Sequence, residues 1–474
     1  MTDAGTASLE FDLVLLGGGT GGYVAAIRAK QLGMNVAVVE ELKLGGTCLH
    51  RGCIPTKAFL KSAEVFDTVK AAKEFGINVG GDITFDYATA LDRSLKVVDK
   101  QYKGLLYLFE KKHKIPVFMG RGRIIDRTTI GVTPNDGGAP FSIKSKQIII
   151  NTGSRPRPIK GVPYDGVKVI NSDHAVVLEK LPERILIRGG GATGVEWASA
   201  YHRYGSKTTL VGNVVPMEDH EVSEHLAKAL ARQKMDVVAG ARPTAEDIDI
   251  TKNGVTMRLT DPKSKKERVI EADTLLVAVG RQGNIENIGL EEAGIKTEGE
   301  YIPVDDMMRT NVPGIFAIGD VNGQQLLAHT AMHQGIVCVE HIAGLNPFPI
   351  DILNSPSCTY CEPEIGSVGL TERDAIRLGH KVKIGKFPMG PNAKALIEGH
   401  NDGFTKMIAD EETNDLLGLH IIGPHATELI AEGALARLLE STPYEIAINI
   451  HPHPTVSEVL GEAAHALLGH AIHI

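Results

Sequence analysis

Apolar and polar positions alternate between two regimes along the chain. "FDLVLLGGGTGGYVAAIRAKQLGMNVAVVEE" opens with an apolar strand, breaks at glycines, continues at helical spacing and ends in a second apolar strand. "RILIRGGGATGVEWASAYHRYGSKTTLVG" repeats that order. "SKQIIINTGSRPRP" and "ADTLLVAVGRQGN" read as strands returning to the first and second of these units, and "GIFAIGDVNG" as a further buried strand ending in Asp320. Residues 67–135 mix a long helical stretch with short strands. From Asn346 the pattern changes: "CEPEIGSVGLTERDAIRLG", "FTKMIADEETNDLLGLHIIG" and "ATELIAEGALARLLES" predict an antiparallel sheet with helices. The predicted class is α/β, with two strand–turn–helix–strand domains and a C-terminal α+β domain.

The two glycine breaks share one spacing. Gly17, Gly19 and Gly22 form G-x-G-x-x-G, as do Gly189, Gly191 and Gly194. After a strand and before a helix, this is the Rossmann dinucleotide fingerprint. Glycines let the backbone approach a pyrophosphate resting on the helix N-terminus. Glu40 lies 18 residues after Gly22, where a carboxylate accepts a ribose hydroxyl. Gly212 lies 18 residues after Gly194 and has no side chain for that purpose. Two units imply two dinucleotides, or one and a degenerate copy.

Length and charge narrow the class. At 474 residues the chain predicts about three domains. A formal net charge of −8 argues against nucleic acid as the main partner, and "KKHK" at 111–114 reads as a solvated helix end. No apolar run approaches the ~18–20 residues of a membrane span. "MTDAGTASLE" lacks the basic and apolar regions of an export signal, so a cytoplasmic location is expected. Five cysteines in a reducing compartment make any disulfide more apt to be catalytic than structural.

Two of those cysteines share "GGTCLHRGCIPTK". Positions i and i+5 of a regular helix are separated by about 7.5 Å of rise, too far for a disulfide. Cys48 and Cys53 bridge only across an irregular turn or distorted helix start, for which Gly45, Gly46 and Gly52 supply freedom. Pro55 fits a first helical turn, and the dipole there favours thiolates. The local reading is a redox-active pair; the alternative is two unrelated buried thiols. Zinc would need two more ligands, and Cys358, Cys361 and Cys338 read as buried cysteines. Near the C-terminus, His451 and His453 alternate with Pro452 and Pro454, outside any regular helix. Thr455 is read as starting the next helix. Glu458 then has two readings: the acid of a capping box, or the partner orienting a histidine base. His465, His470 and His473 lack a consistent ligand spacing, and no metal site is expected.

Taken together, "GGTCLHRGCIPTK", both fingerprints, "FAIGDV", "LAHTAMHQG" and "HPHPTVSE" resemble the FAD-dependent pyridine nucleotide-disulfide oxidoreductases along essentially the whole chain. "LAH" at 327–329 and the His-x-His-Pro-Thr form at 451–455 are similar to the members that oxidise dihydrolipoyl groups with NAD. The resemblance implies a FAD-binding domain at 1–155, an NAD-binding domain at 156–282, a central domain at 283–350 and a C-terminal homodimer interface at 351–474. It implies a redox disulfide, with Cys48 meeting substrate and Cys53 beside the flavin. It places Gly17, Gly19, Gly22, Glu40, Gly46, Thr47, Lys57, Gly122, Thr152, Gly153, Ser154, Asp320, Leu327, Ala328 and His329 at FAD. It places Gly189, Gly191, Gly194, Glu196, Gly280 and Arg281 at NAD, with Glu196 also pairing Lys57. His453, oriented by Glu458, would be the base and would reach the disulfide of the other subunit.

The implied reaction is oxidation of a protein-bound dihydrolipoyl group, with lipoyl domains of 2-oxoacid dehydrogenase or glycine cleavage complexes as partners. Alternatives are a related reductase of a small disulfide using NAD(P)H, and a flavoprotein assembly subunit of low turnover. Three positions depart from the family pattern: His50-Arg51 replaces Asn-Val, Asn151 replaces Ala, and Gly212 replaces the ribose acid. "VGNVVPMED" offers no arginine for a 2′-phosphate, and Glu218 and Asp219 would repel one if close. That segment predicts NAD over NADP by a reduced margin, with Gly212→Glu improving NAD binding.

Overall fold

The computed structural model describes residues 9–474. The first apolar run forms the strand Leu9–Leu16, and Val36–Glu40 lies parallel to it with Leu13 opposite Val36 and Leu15 opposite Val38. Phe141–Ile150 is its parallel neighbour on the other side, followed by Ile315–Ala317. These strands read as continuous apolar runs because both faces are covered. Leu13, Leu15, Val36 and Val38 face the helix residues Ala25, Ala26 and Ala29, while Val14, Leu16, Ala37 and Val39 pack with Ile130, Ile148 and Ile150. Val117–Asp126 continues the sheet beside Val36–Glu40 and turns antiparallel through Thr129–Pro134 back to Phe141–Ile150.

Two helices cover one face at very close range. A Cβ on Gly21 of Thr20–Gln31 would stand 2.8 Å from the Ala331 carbonyl oxygen, and one on Gly335 of Ala328–Ile342 would stand 2.7 Å from that of Gly21. Only glycine allows this backbone approach.

The chain divides into two compact units. One comprises, among the described residues, 9–55, Asp92–Arg157 and Arg281–Ile352; the other comprises Thr56–Leu91, Pro158–Gly280 and Leu353–Ile474. The first holds the sheet above. In the second, five parallel strands run in the order Asp236–Val238, Lys207–Val211, Arg184–Arg188, Thr274–Val277, Val169–Ile170. An antiparallel three-stranded sheet, Ile248–Thr251, Gly254–Thr260 and Glu267–Ala272, accompanies them. The C-terminal sequence forms the expected antiparallel sheet of five strands, with Ala426–Leu438 and Glu458–Leu468 packed against it. Lys111, Lys112 and Lys114 of "KKHK" lie exposed around a π-helical turn, Leu108–His113, that continues Tyr87–Tyr107. Among the described residues, no helix is long and apolar enough to cross a membrane.

One boundary differs from the sequence reading. The final helix begins at Glu458, with Ser457 as its N-cap, and not at Thr455. The Thr455 hydroxyl donates to the Pro452 carbonyl at 2.6 Å and also contacts Ser457 Oγ at 2.7 Å.

Candidate active site

Both cysteines sit on helices. Cys48 belongs to the short helix Gly46–Arg51, entered through Gly45 at φ +100° and Gly46 at φ +61°. The path breaks at Gly52, and Cys53 begins the helix Cys53–Lys70 with Pro55 in its first turn. At the break the chain stays close to the preceding turn: a Cβ on Gly52 would meet Thr47 O at 3.1 Å and Cys48 Cα at 3.3 Å. This brings Cys48 and Cys53 into near contact, both half-buried. His50, one of the departures, lies against Leu44 O at 2.8 Å and stands edge-on to Tyr102; burial holds its pKa below the ordinary value. The other cysteines are chemically quiet. Burial pushes Cys358 up to about 12, and Cys338 and Cys361 well above the usual thiol range.

Lys57 lies one helical turn beyond Cys53. Its ammonium donates to both oxygens of Glu196 at 2.8 Å and sits 4.6 Å above the Tyr360 ring. Glu196 also accepts the Tyr360 backbone N–H at 3.0 Å. The two helices carrying this pair meet through aromatic packing: Phe59 lies 5.6 Å from Trp197, which stacks on Tyr201 at 5.2 Å. The buried carboxylate is thus held by a cation and an N–H together.

The expected flavin residues of the first unit gather around two structures. At the glycine turn, a Cβ would lie 2.3 Å from Asn151 O at Gly17, 2.2 Å from Gly17 O at Gly22 and 2.7 Å from Gly19 Cα at Gly46. Gly19 caps its helix without a side chain, leaving first-turn N–H groups to a ligand. Glu40 accepts from Gly18 N and Leu42 N, each at 2.7 Å. Burial pushes its pKa up against those two bonds. A carboxylate has about four lone-pair sites, so capacity for a ribose hydroxyl remains. This cradle fits a dinucleotide. Thr47 is in the cysteine helix, and Gly122 is required by packing, since a Cβ there would stand 2.3 Å from Leu16 Cδ1.

The second structure joins 152–154 to 281–284. Thr152 and Asn284 exchange hydrogen bonds at 2.8 and 2.9 Å, and Gly153 O accepts Asn284 N at 2.9 Å. Ser154 donates to Asp320. Arg281 donates to Ser154 Oγ at 2.7 Å and lies 3.8 Å from Asp320. Arg281, read with the nicotinamide set, is therefore bonded into the Ser154–Asp320 group. Leu327, Ala328 and His329 start the helix Ala328–Ile342, whose Gln334 accepts Gly319 N at 2.7 Å. Asn151 donates to Gly17 O at 3.2 Å and clamps the glycine turn. Sequence reasoning missed the roles of Asn151 and Gln334.

In the second glycine turn, Gly189 and Gly194 are equally close-packed, and a Cβ on Gly191 would meet nothing within 4 Å. Gly280, at φ +118°, follows the strand Thr274–Val277 that borders this turn. Gly212 takes φ +138°, which L side chains rarely adopt, so Gly212→Glu would be strained and the expected gain in NAD binding does not follow.

His453 Nδ1 lies 2.9 Å from Glu458 Oε1, while Glu458 Oε2 accepts Thr455 N at 3.0 Å. Glu458 thus bonds the His453 ring with one oxygen and Thr455 N with the other, but no capping box forms, because the helix is capped at Ser457 without a side-chain bond. Burial pushes the Glu458 carboxyl up, but the Thr455 N–H and His453 ring outweigh it and hold it below its ordinary value. His453 is 72% exposed at its side chain, whereas His451 is buried against Glu432 at 2.9 Å. Nearby sequence also projects apolar groups: Leu438, Leu439, Tyr444, Ile448 and the 93% exposed Ile450.

Two family models match the chain: "Pyridine nucleotide-disulphide oxidoreductase" over residues 11–335 and its dimerisation domain over 355–464. The chain belongs to the pyridine nucleotide-disulphide oxidoreductase family. Within this family it is 47% identical to a dihydrolipoyl dehydrogenase of Bacillus subtilis, covering 98% of this chain and 99% of the relative. It is 41% identical to one of Chlorobaculum parvum, covering 99% of each. Among solved structures it is similar to LpdA of Mycobacterium tuberculosis, with TM-score 0.88, 27% identity and coverage of 97% of this chain and 99% of that one. The first model spans both glycine turns and the cysteine pair; the dimerisation model spans His453 and Glu458.

Proposed function

We infer that the chain oxidises the dihydrolipoyl group of a partner protein to the lipoyl disulfide and reduces NAD. The observation that carries this is the Cys48–Cys53 pair folded into near contact at Gly52, with the Lys57–Glu196 pair one turn along the same helix. The glycine-turn cradle and the Ser154–Asp320 group would hold FAD, and Gly189, Gly191 and Gly194 would hold NAD. Bound FAD supplies the two-electron exchange between a dithiol and the nicotinamide.

This chain's own residues handle thiols and protons. His453, its tautomer set by Glu458, takes the proton of one substrate thiol. The thiolate attacks Cys48 Sγ, forming a mixed disulfide and releasing Cys53 as thiolate. The second substrate thiol then attacks the substrate sulfur bonded to Cys48 and passes its proton to the departing Cys48 sulfur; the lipoyl ring closes and Cys48 leaves as a thiol. One disulfide is consumed and one is formed, so electrons balance. The site is completed in a homodimer, the partner carries a lipoyl domain, and the compartment is cytoplasmic. Domain functions divide at 155, 282 and 350.

One assay tests the reading: purified yellow protein with dihydrolipoamide and NAD, followed at the NADH absorbance. Turnover is expected there and not with glutathione disulfide or a mercuric salt plus NADPH. The reverse pattern would overturn it.

A further inference from the structure

The two glycine turns can be compared atom by atom. Gly17 N donates to Val39 O and Gly189 N to Val211 O, both at 2.9 Å. Glu40 and Gly212, the next residues, are therefore equivalent. Glu40 turns its carboxylate back to Gly18 N at 2.7 Å. At Gly212 a Cβ would lie 3.1 Å from Gly190 N and 3.5 Å from Arg188 Nη1. Where the first unit has a carboxylate, the second has a guanidinium.

Arg188 ends the strand Arg184–Arg188, directly before the turn, and is half-buried. Among the described residues it has no ion pair, and its hydrogen bond is a long one, Nε to Pro243 O at 3.4 Å. Burial and the neighbouring charge of Arg242 both disfavour its ionised form. Arg242 is exposed on the loop after Asp236–Val238. Arginine cannot shed its proton, so two like charges stand together without a counter-ion. Four acids of this domain are engaged elsewhere. Asp219 holds Lys406 at 3.0 Å, Asp236 pairs with Arg268 at 2.7 Å, Asp247 accepts from Thr244 N at 2.7 Å, and Glu218 accepts from Ser357. The repulsion expected from Glu218 and Asp219 is accordingly not directed here.

We propose that this domain binds a 2′-phosphorylated nicotinamide dinucleotide, NADP(H), at least as well as NAD(H), with Arg188 and Arg242 pairing the 2′-phosphate. Planar guanidinium groups suit phosphate geometry, and a bound phosphate supplies the missing counter-charge. The proposal rests on the reading of Gly189–Gly194 as the nicotinamide dinucleotide turn. It departs from the NAD preference expected from residues 211–219, because the cations it invokes come from the strand before the turn and from a later loop.

The test is calorimetric titration of the holoenzyme with 2′,5′-ADP and with 5′-AMP, which differ by the 2′-phosphate. The first is expected to bind about tenfold or more tightly, given the strength of charged hydrogen bonds. That margin should shrink in Arg242→Ala, disappear in Arg188→Gln, and fall as salt rises. Retained flavin absorbance and melting temperature confirm that the variants fold. Values of kcat/KM for NADP and NAD with dihydrolipoamide complete the set. Equal or weaker binding of 2′,5′-ADP by the wild type would overturn the proposal, even with NAD-dependent dihydrolipoamide turnover intact. Tight, arginine-dependent binding of 2′,5′-ADP without dihydrolipoamide turnover would support it and sink the proposed reaction instead.

Discussion

Glu458 is bonded through both of its carboxylate oxygens. Its Oε1 meets His453 and its Oε2 accepts Thr455 N, so substitutions can separate the two roles. Glu458→Gln keeps an acceptor for Thr455 but loses the charge that supports an imidazolium; melting temperature should hold while the thiol step slows. His453→Gln should cost about 10²–10⁴-fold in dihydrolipoamide oxidation, the usual worth of a general base. NADH oxidation by small artificial acceptors should persist in both variants, and parallel loss in the two assays would point to a folding defect. Cys48→Ser should abolish dihydrolipoamide turnover yet keep the flavin absorbance, because the nucleotide cradle is built from other residues; substantial residual activity would refute the disulfide role. Legibility at this scale followed sequence distance. Cys48, Cys53, Lys57 and His453 stand in short motifs whose neighbours are chemically telling. Asn151 to Gly17 and Arg281 to Ser154 span 134 and 127 positions, and no local pattern announces such pairs. Arg188 was visible but lay before the glycines, outside the segment where a ribose contact is sought.

Elements join through polar ties as well as apolar faces, and one such tie is buried. Lys406, in the strand Phe404–Asp410, has a fully buried side chain. Its ammonium reaches Asp219 at 3.0 Å, Glu221 at 2.8 Å and Glu372 at 2.6 Å. Asp219 caps the helix His220–Arg232 and also accepts Glu372 N, at the start of Glu372–Arg377. One cation thus anchors two helix starts to a sheet. Lys406→Met should destabilise the protein by about 3–5 kcal/mol, because it leaves Asp219 buried and unpaired. The pH dependence has a definite sign. Burial raises Asp219 and Glu221, but their bonds to lysines outweigh it and hold both below ordinary values. Their stabilisation is therefore present above about pH 4 and lost as pH falls through the lowered folded values. Denaturant unfolding should show the largest wild-type-to-Met gap near neutrality, closing in acid; a constant gap would contradict the charge account. The strands and glycine turns were legible because continuous apolar runs bounded by glycine have few other solutions. The start of the last helix was not, since Thr455 and Ser457 are both good N-caps and their residue types do not choose between them.

At the scale of the molecule, the dimerisation domain and the surface around His453 belong together. The domain model covers 355–464, and within it Leu435, Leu438, Leu439, Tyr444, Ile448 and Ile450 are exposed apolar residues on consecutive stretches leading to His453. Exposed apolar residues gathered in one segment of a dimerisation domain suit an interface. In a twofold dimer each subunit offers the same patch, so a base carried at its edge can serve the neighbour's disulfide. Complementation tests this directly. Cys48→Ser and His453→Gln homodimers should each be nearly inactive toward dihydrolipoamide. After denaturation, mixing and refolding with FAD, half the dimers carry one chain of each kind. If His453 acts across the interface, one of the two sites in every mixed dimer has an intact cysteine pair facing an intact histidine. Activity should then recover to roughly one quarter of the wild-type value. If His453 acts within its own chain, neither site of the mixed dimer is whole, and mixing restores nothing. Size-exclusion chromatography and flavin content of the refolded pool separate that outcome from failed assembly.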